Sequence, residues 1–308
     1  MRPVDAIGLT EGVIDLSAQN VHACAIKTDG KVYCWGAAFR IGDGTNENRN
    51  IPTRVVGIDE GAKKVVAGSG HTCAITSANA VKCWGYDISG ALGRGVENDH
   101  KNTAVSVPNL ASGVVDIDAG TDSNCAKRGS EWWCWGRNDY GQLGLGDSTK
   151  RLQPTLAPNN ASFVKISIGA RSACGITALG AVRCWGSNEN GLLGNASGIN
   201  SLLSVPASGL TSNVTHVMVR NGIACALQGG QLKCWGKNNF GQLGDGTTTP
   251  YLTPQLVSLT GTVTSFSINS DHACGIVSDK AHCWGNNGHG QLGDGTDLPS
   301  TRPVDVLP

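Results

Sequence analysis

The tripeptide Cys-Trp-Gly occurs six times in the chain, and the even spacing of its copies dominates the prediction of the fold. Successive copies are separated by 49, 51, 50, 50 and 49 residues. A unit of about 50 residues, rich in glycine and without apolar residues at helical spacing, is typical of a four-stranded propeller blade. We therefore expect an all-β propeller of six four-stranded blades, folded as a single domain over residues 1–308. The cysteines of the tripeptides are Cys34, Cys83, Cys134, Cys184, Cys234 and Cys283.

Composition narrows the classes of partner. Lys plus Arg and Asp plus Glu each number 24, so the chain has no net charge to attract nucleic acid, and we expect none as a partner. No apolar stretch reaches the roughly 18 to 20 residues that a membrane span requires, so we expect no membrane span. The N-terminal sequence MRPVDAIGL lacks the pattern of a signal peptide, which implies that any export signal has been removed.

Each repeat has another cysteine, nine or ten residues upstream of the tripeptide cysteine. Loops such as Thr28-Asp29-Gly30 or Gly229-Gly230 suit the turn of a β-hairpin, whereas Ser278-Asp279 is the one poor match. A hairpin with these turns places the two cysteines opposite each other on neighbouring strands. The upstream cysteines are Cys24, Cys73, Cys125, Cys174, Cys225 and Cys274.

Three accounts of the 12 cysteines compete. Zinc sites prefer two to four residues between cysteines and four converging ligands, which isolated pairs do not supply. Reduced, buried cysteines acting as small apolar residues would suit a cytosolic protein. Six opposed pairs with none left over favour one disulfide per blade and an oxidising compartment, which is extracellular or periplasmic.

The same hairpin register pairs other side chains in every repeat. Ile26 faces Val32 on the side of the cysteines, and in the third repeat Lys127 faces Trp132 instead. On the opposite side, each tryptophan of the tripeptide faces a small residue, which leaves room for the indole to pack against a neighbouring blade. These tryptophans are therefore expected to be core residues.

Segments such as HACAIKTDGKVYCWG and CWGKNNFGQLGDGTTTP resemble the regulator of chromosome condensation repeat family, and closely its cysteine-bearing bacterial members. The resemblance extends over residues 1–308. It implies a propeller, usually of seven blades, whose loops on one face grip another protein. Members include a nucleotide-exchange factor for a small GTPase and a secreted bacterial inhibitor of β-lactamases. The exchange factor works through an insertion in one blade, which repeats of such even length lack, so exchange activity is the less favoured function.

The two ends of the chain share a sequence. Arg2-Pro3-Val4-Asp5 recurs as Arg302-Pro303-Val304-Asp305, and both resemble the outer strand of a blade. Six blades need only one copy. The spare copy indicates a longer array, a strand that closes the ring, or self-association with a neighbouring molecule through the terminal strands.

Few residues indicate a catalytic, metal or cofactor site. His22, His71 and His272 occupy one repeat position and are candidates for a shared channel, with a structural hydrogen-bonding position as the competing interpretation. No nucleophile elbow, zinc-binding helix or phosphate loop is present, so we predict no enzyme activity, no metal and no cofactor.

Residues for binding a partner are better represented. The position before the tripeptide cysteine holds aromatic and cationic residues, which are enriched at protein hot spots. The most polar loop, Glu97 to Lys101, adds a further histidine. We predict a non-enzymatic protein-binding propeller; a carbohydrate- or surface-binding module, or a subunit of a larger assembly, is the alternative. The candidate binding residues are Tyr33, Trp132, Trp133, Arg183, His282 and His100.

Overall fold

A computed structural model describes residues 2–307 and divides the chain into two compact units. The first unit comprises Asp5–Asp139 and Asp147–Ala161, and the second comprises the other described residues. Each unit contains three antiparallel sheets of four strands, in which sequence neighbours pair. These sheets are the six blades of a β-propeller fold, numbered here in chain order.

The first unit contains the strands of blades 1 to 3. They are β1 Val13–Gln19, β2 His22–Lys27, β3 Val32–Gly36, β4 Arg49–Arg54, β5 Ala62–Ala67, β6 His71–Thr76, β7 Val81–Gly85, β8 Lys101–Ser106, β9 Val114–Ala119, β10 Ser123–Arg128, β11 Glu131–Gly136 and β12 Arg151–Leu156.

The second unit contains the strands of blades 4 to 6. They are β13 Phe163–Ile168, β14 Ser172–Thr177, β15 Val182–Gly186, β16 Ser201–Pro206, β17 Val214–Arg220, β18 Ile223–Gln228, β19 Gln231–Gly236, β20 Tyr251–Leu256, β21 Val263–Ile268, β22 His272–Val277, β23 Lys280–Gly285 and β24 Ser300–Asp305. The helical segments of the described chain are single 3-10 turns at Ile88–Gly90, Pro158–Asn160 and Glu189–Gly191. No helix among residues 2–307 has the length and hydropathy needed to span a membrane.

The predicted hairpin register is confirmed in every blade. The two cysteines of each repeat are direct partners on neighbouring strands, and each pair forms a disulfide. Disulfide bonds join Cys24–Cys34, Cys73–Cys83, Cys125–Cys134, Cys174–Cys184, Cys225–Cys234 and Cys274–Cys283, and no described cysteine is free. The poorly matched tip still forms a tight turn, because Ser278 and Asp279 both adopt left-handed backbone angles, with φ of 50° and 61°.

Every blade has two different faces. The cystine face carries the disulfide, and the tryptophan face carries the indole of the tripeptide. In the second unit, Cys174 and Ile176 on the cystine face of blade 4 pack against Val217 and Trp235 on the tryptophan face of blade 5. The same arrangement joins blades 5 and 6, and within the first unit it joins blades 1 and 2 and blades 2 and 3. Burial of apolar side chains between successive blades therefore stabilises the packing of the blades within each unit.

Each blade also has two ends. The hairpin end carries the tight turn between its second and third strands. The glycine-loop end carries the longer segment between its third and fourth strands. The backbone requires glycine where this segment begins, because a Cβ on Gly85, whose φ is 104°, would lie 2.6 Å from the carbonyl oxygen of Gly70. The loop that follows brings aromatic and charged side chains to this end of the blade.

Candidate functional site

The hairpin-end candidates of the first unit are largely occupied by contacts within the protein. Trp132 is fully buried in blade 3, where the Lys127 ammonium lies 5.8 Å from its ring centroid. Trp133 is half-buried, and the Arg128 guanidinium covers its ring at 4.5 Å. Tyr33 is half-buried and pairs with Arg54 of the outer strand. Because Trp132 is fully buried, it has no surface for a partner and belongs to the core.

Two candidates lie in the second unit. The Arg183 guanidinium donates hydrogen bonds to the Ser204 hydroxyl and carbonyl oxygens, at 3.1 and 2.7 Å. The His282 Nδ1 atom lies 2.8 Å from an Asp305 carboxylate oxygen. Both side chains hold the outer strand of their own blade, so part of their binding capacity is already used.

A cluster of aromatic and charged side chains lies at the glycine-loop end of blades 1 and 2. We call Phe39, Arg40, Tyr86 and His100 the ring cluster. The Tyr86 ring lies 5.2 Å from the Phe39 ring, 4.9 Å edge-on from the His100 ring and 4.7 Å below the Arg40 guanidinium. Phe39, Arg40 and Tyr86 are half-buried and His100 is exposed. The cluster therefore combines aromatic and cationic groups at one accessible place.

Hydrogen bonds fix the orientation of the polar members of the ring cluster. Arg40 donates from Nε to the Ser69 carbonyl oxygen at 3.3 Å and from Nη1 to the Ala38 carbonyl oxygen at 3.1 Å. The Asp87 backbone N–H donates to His100 Nδ1 at 3.0 Å. Because Nδ1 accepts this bond, the proton of the neutral ring is on Nε2, which is a donor for a partner.

Asp87 distinguishes the glycine loop of blade 2. At the corresponding position of blade 5, the Asn238 side-chain amide donates to the carbonyl oxygens of Thr247 and Thr249 at 3.1 and 2.9 Å. Asp87 cannot donate in its charged form. Its Oδ2 atom is buried without a hydrogen-bond partner among the described residues, and the Arg94 guanidinium lies 4.0 Å away. Burial raises the pKa of Asp87 above its usual range.

The candidate channel histidines of the first unit link successive blades. His22 Nε2 lies 2.8 Å from the Thr72 hydroxyl, and His71 Nε2 lies 2.8 Å from the Asn124 amide oxygen. Burial, followed by the Arg40 charge, lowers the pKa of His22 to about 3. Burial also lowers the pKa of His71. Both rings are therefore neutral at physiological pH and act as hydrogen-bonding residues between blades.

His272 belongs to the second unit, where it is half-buried and its Nδ1 atom lies 3.4 Å from an Asp271 carboxylate oxygen. A shared channel site for the three histidines stays a prediction. Among residues 2–307, no group of three or more His, Cys, Asp or Glu side chains could hold a metal ion.

Of the ring cluster, His100 was predicted from the sequence, whereas Phe39, Arg40 and Tyr86 were not. A signal was present, because the residue directly after the tripeptide is aromatic in blade 2 alone: it is Ala37, Tyr86, Arg137, Ser187, Lys237 or Asn286. Arg40 could not be found in this way, because its contact with Tyr86 joins two repeats.

Related pairs occur in the second unit. The Arg171 guanidinium lies 5.0 Å from the Tyr140 ring centroid, and the Lys237 ammonium lies 5.8 Å from the Phe240 ring centroid. Each is a single cation over a single ring. The ring cluster of blades 1 and 2 is larger, because it adds Phe39 and His100 to such a pair.

Solved structures share the fold. Human WBSCR16 is 19% identical, with a TM-score of 0.86 over 97% of this chain and 83% of that one. Prp20p from Saccharomyces cerevisiae is 17% identical, with a TM-score of 0.83 over 96% of this chain and 77% of Prp20p. The study of that structure also concerns the binding of Prp20p to Gsp1p and histones. The CRINKLY WD40 ectodomain of the Arabidopsis thaliana receptor kinase ACR4 is 18% identical, with a TM-score of 0.53 over 94% and 81%.

Two family models, both described as the Regulator of chromosome condensation (RCC1) repeat, match the sequence. One matches residues 29–75, 131–176 and 229–276, and the other matches residues 13–38, 62–91 and 163–192. Together they match more than half of the chain, and the matched segments contain the paired cysteines and the tripeptides of several blades. The chain therefore belongs to the RCC1 repeat family.

Proposed function

We propose that the chain is a non-enzymatic, protein-binding propeller of an extracellular or periplasmic compartment, and that it contacts its partner through the ring cluster. The observation that carries this proposal is the grouping of three rings and a guanidinium at the glycine-loop end of blades 1 and 2. Aromatic residues and arginine contribute most of the binding energy in many protein interfaces.

The bonding pattern of the cluster defines the chemistry of the partner. Arg40 uses Nε and Nη1 within the chain, and His100 presents Nε2–H, so the polar groups offered to a partner are donors. The Phe39 and Tyr86 rings supply the apolar contact. The complementary partner is a protein segment with an apolar side chain next to a carboxylate or a backbone carbonyl.

Two further observations support the proposal. Two solved structures of the yeast relative Prp20p concern protein partners, namely Gsp1p and histones in one and Kap60 in the other. The six disulfides favour an oxidising environment over the reducing cytosol. Non-reducing peptide mapping of the protein purified from its source tests the compartment, and free thiols at these positions would contradict it.

The binding test uses the oxidised full chain as bait in the secreted or periplasmic fraction of its source. Captured proteins are compared between the unchanged chain, a Phe39→Ala/Tyr86→Ala variant and a Phe240→Ala control, which removes an exposed ring from the glycine-loop end of blade 5. We expect a protein that the unchanged chain and the control retain and that the double variant loses.

Two results would contradict the proposal. Equal retention by all three baits would place the contact outside the ring cluster. Capture of glycans alone, on the same baits, would replace the protein partner by the carbohydrate-binding alternative. Circular dichroism of the double variant shows whether a loss of binding occurs with the fold intact.

A further inference from the structure

The packing between successive blades repeats a fixed set of contacts. Residues of the cystine face of one blade cover the tryptophan face of the next. The indole N–H also donates to a carbonyl oxygen in the glycine loop of the preceding blade, as from Trp84 to Arg40 and from Trp284 to Gln242, both at 2.9 Å. A third contact occurs at the inner strand, where the Val219 N–H donates to the Ser167 hydroxyl at 3.1 Å.

The tryptophan face of blade 1 lacks this cover. Leu16 is 61% exposed, whereas Val65 and Val217, which occupy the same repeat position in blades 2 and 5, are 2% and 8% exposed. Ala18 is exposed, while its counterpart Ala67 is buried. Within residues 2–307, the Trp35 indole is the one tripeptide indole for which no hydrogen bond is found, and its ring is half-buried.

The cystine face of blade 6 is also only partly covered. Cys274, Ile276 and Ala281 are half-buried, whereas the matching Cys174 and Ile176 of blade 4 are buried. Ser267 is exposed, although it lies at the position of Ser167 and so is suited to accept a backbone N–H. If Gly244 of blade 5 had a Cβ atom, the nearest atoms to it would be those of the Trp284 indole of blade 6.

At Gly293, the glycine of blade 6 that corresponds to Gly244, the added Cβ would instead meet Val306 at 3.0 Å and the Pro3 ring at 3.5 Å. The N-terminal segment thus lies where the indole of a following blade lies in the other repeats. A following blade could reach this position by displacing Pro3, which is exposed.

These two faces are complementary in the way that successive blades are. At the positions that make these contacts in the other repeats, blade 1 has the Trp35 indole N–H, the Ala18 backbone N–H and the Leu16 side chain. Blade 6 has the Ser267 hydroxyl, the Gln291 carbonyl at the position of Gln242, and half-buried apolar side chains around its disulfide. Each donor on one face therefore has a matching acceptor on the other.

We infer that the chain self-associates head to tail, with the cystine face of blade 6 of one copy packed on the tryptophan face of blade 1 of a second copy. The occupant is a second copy because this chain carries both halves of the contact: the blade 1 face is exposed, and the blade 6 face is only partly covered, with Pro3 at the place of the following indole. Such a contact is heterologous, so it generates closed rings or open chains of copies rather than an isologous dimer. It is separate from the ring cluster and does not depend on the proposed function.

Sedimentation velocity of the full oxidised chain over a wide range of concentrations tests this inference. The average mass should rise with concentration from the monomer value of 31.8 kDa to twice that value and beyond. Leu16→Glu should abolish the rise, because it places a charge in the contact. Leu202→Glu is the matched control, since Leu202 is an exposed leucine on the outer strand of blade 4, and it should associate like the unchanged chain.

A mixing experiment tests the head-to-tail geometry. Ser267→Arg should block the blade 6 face, so this variant and Leu16→Glu should each remain monomeric. Their equimolar mixture retains one intact face of each kind and should form a dimer that grows no further. An unchanged chain that stays monomeric at every concentration would overturn the inference, as would a mixture that does not dimerise. Both substitutions are at exposed positions, and circular dichroism checks that the fold is retained.

Discussion

The two ends of the blades in the first unit use aromatic residues differently. At the hairpin end of blade 3, Trp132 is buried and Arg128 covers the Trp133 ring. At the glycine-loop end of blades 1 and 2, Tyr86 gathers a guanidinium and two further rings and remains half-buried. The fully buried Trp132 thus helps to hold its blade together at one end, whereas the ring cluster at the other end is the group that we propose for a partner. Composition identifies a candidate hot-spot residue, but the contacts that it already makes decide its role.

The largest effect should come from the hairpin end. Trp132→Ala removes a fully buried indole, and such truncations cost about 3 to 5 kcal/mol of unfolding free energy. Chemical denaturation followed by tryptophan fluorescence measures the loss. Binding of the captured partner by the folded fraction should not change. A stable variant with impaired binding would contradict the assignment of Trp132 to the core.

The next effect concerns the glycine-loop end. Tyr86→Ala removes the ring that contacts Phe39, Arg40 and His100, so it should weaken partner binding by about 2 kcal/mol, which is roughly a 30-fold rise in Kd. Titration calorimetry with the captured partner measures Kd. Trp133→Ala is the counterpart at the hairpin end, and it should lower the unfolding midpoint without changing Kd. The reverse outcome for the two variants would exchange the roles of the two ends.

A smaller effect separates the glycine loop of blade 2 from that of blade 5. Asp87→Asn restores the amide found in Asn238 and removes a buried oxygen without a hydrogen-bond partner, so it should raise the unfolding free energy by about 1 kcal/mol at neutral pH. The Arg94 charge nearby limits this gain. Thermal denaturation at neutral pH, with Asp139→Asn as an exposed control, measures the difference.

The pH dependence of the Asp87 effect has a defined sign. The folded-state pKa of Asp87 is raised above its unfolded value of about 4, so its contribution to stability is present at lower pH, where it is protonated. This contribution is lost as the pH rises from about 4 through the raised folded-state pKa. The unchanged protein should therefore lose stability relative to Asp87→Asn over this window. Parallel profiles of the two proteins would show that Asp87 ionises normally.

The regular parts of the fold could be predicted because the same spacing of residues recurs in every repeat. The hairpin register, the six cystines and the pairing of Lys127 with Trp132 follow from spacing within one repeat, and all three are confirmed. The turn at Ser278-Asp279 also formed, although neither residue is glycine, because the disulfide and the strand ladder fix the hairpin on both sides.

The ring cluster could not be predicted in the same way. It joins Arg40 of one repeat to Tyr86 and His100 of the next, and no spacing within a repeat gives the distance between those side chains. The burial of Trp132 is a second example. Trp132 faces Lys127 across the hairpin and is fully buried, and the sequence of a single hairpin does not specify which of its side chains are covered.

Hydrogen–deuterium exchange of the full oxidised chain, with and without its captured partner, is the most direct test of the contrast between the two ends. We expect slowed exchange on partner binding to be confined to the glycine-loop ends of blades 1 and 2, at residues 37–41, 86–90 and 97–101. Slowed exchange confined to the hairpin tips at residues 28–31, 77–80 and 128–131 would contradict it and would place the partner at the other end of these blades.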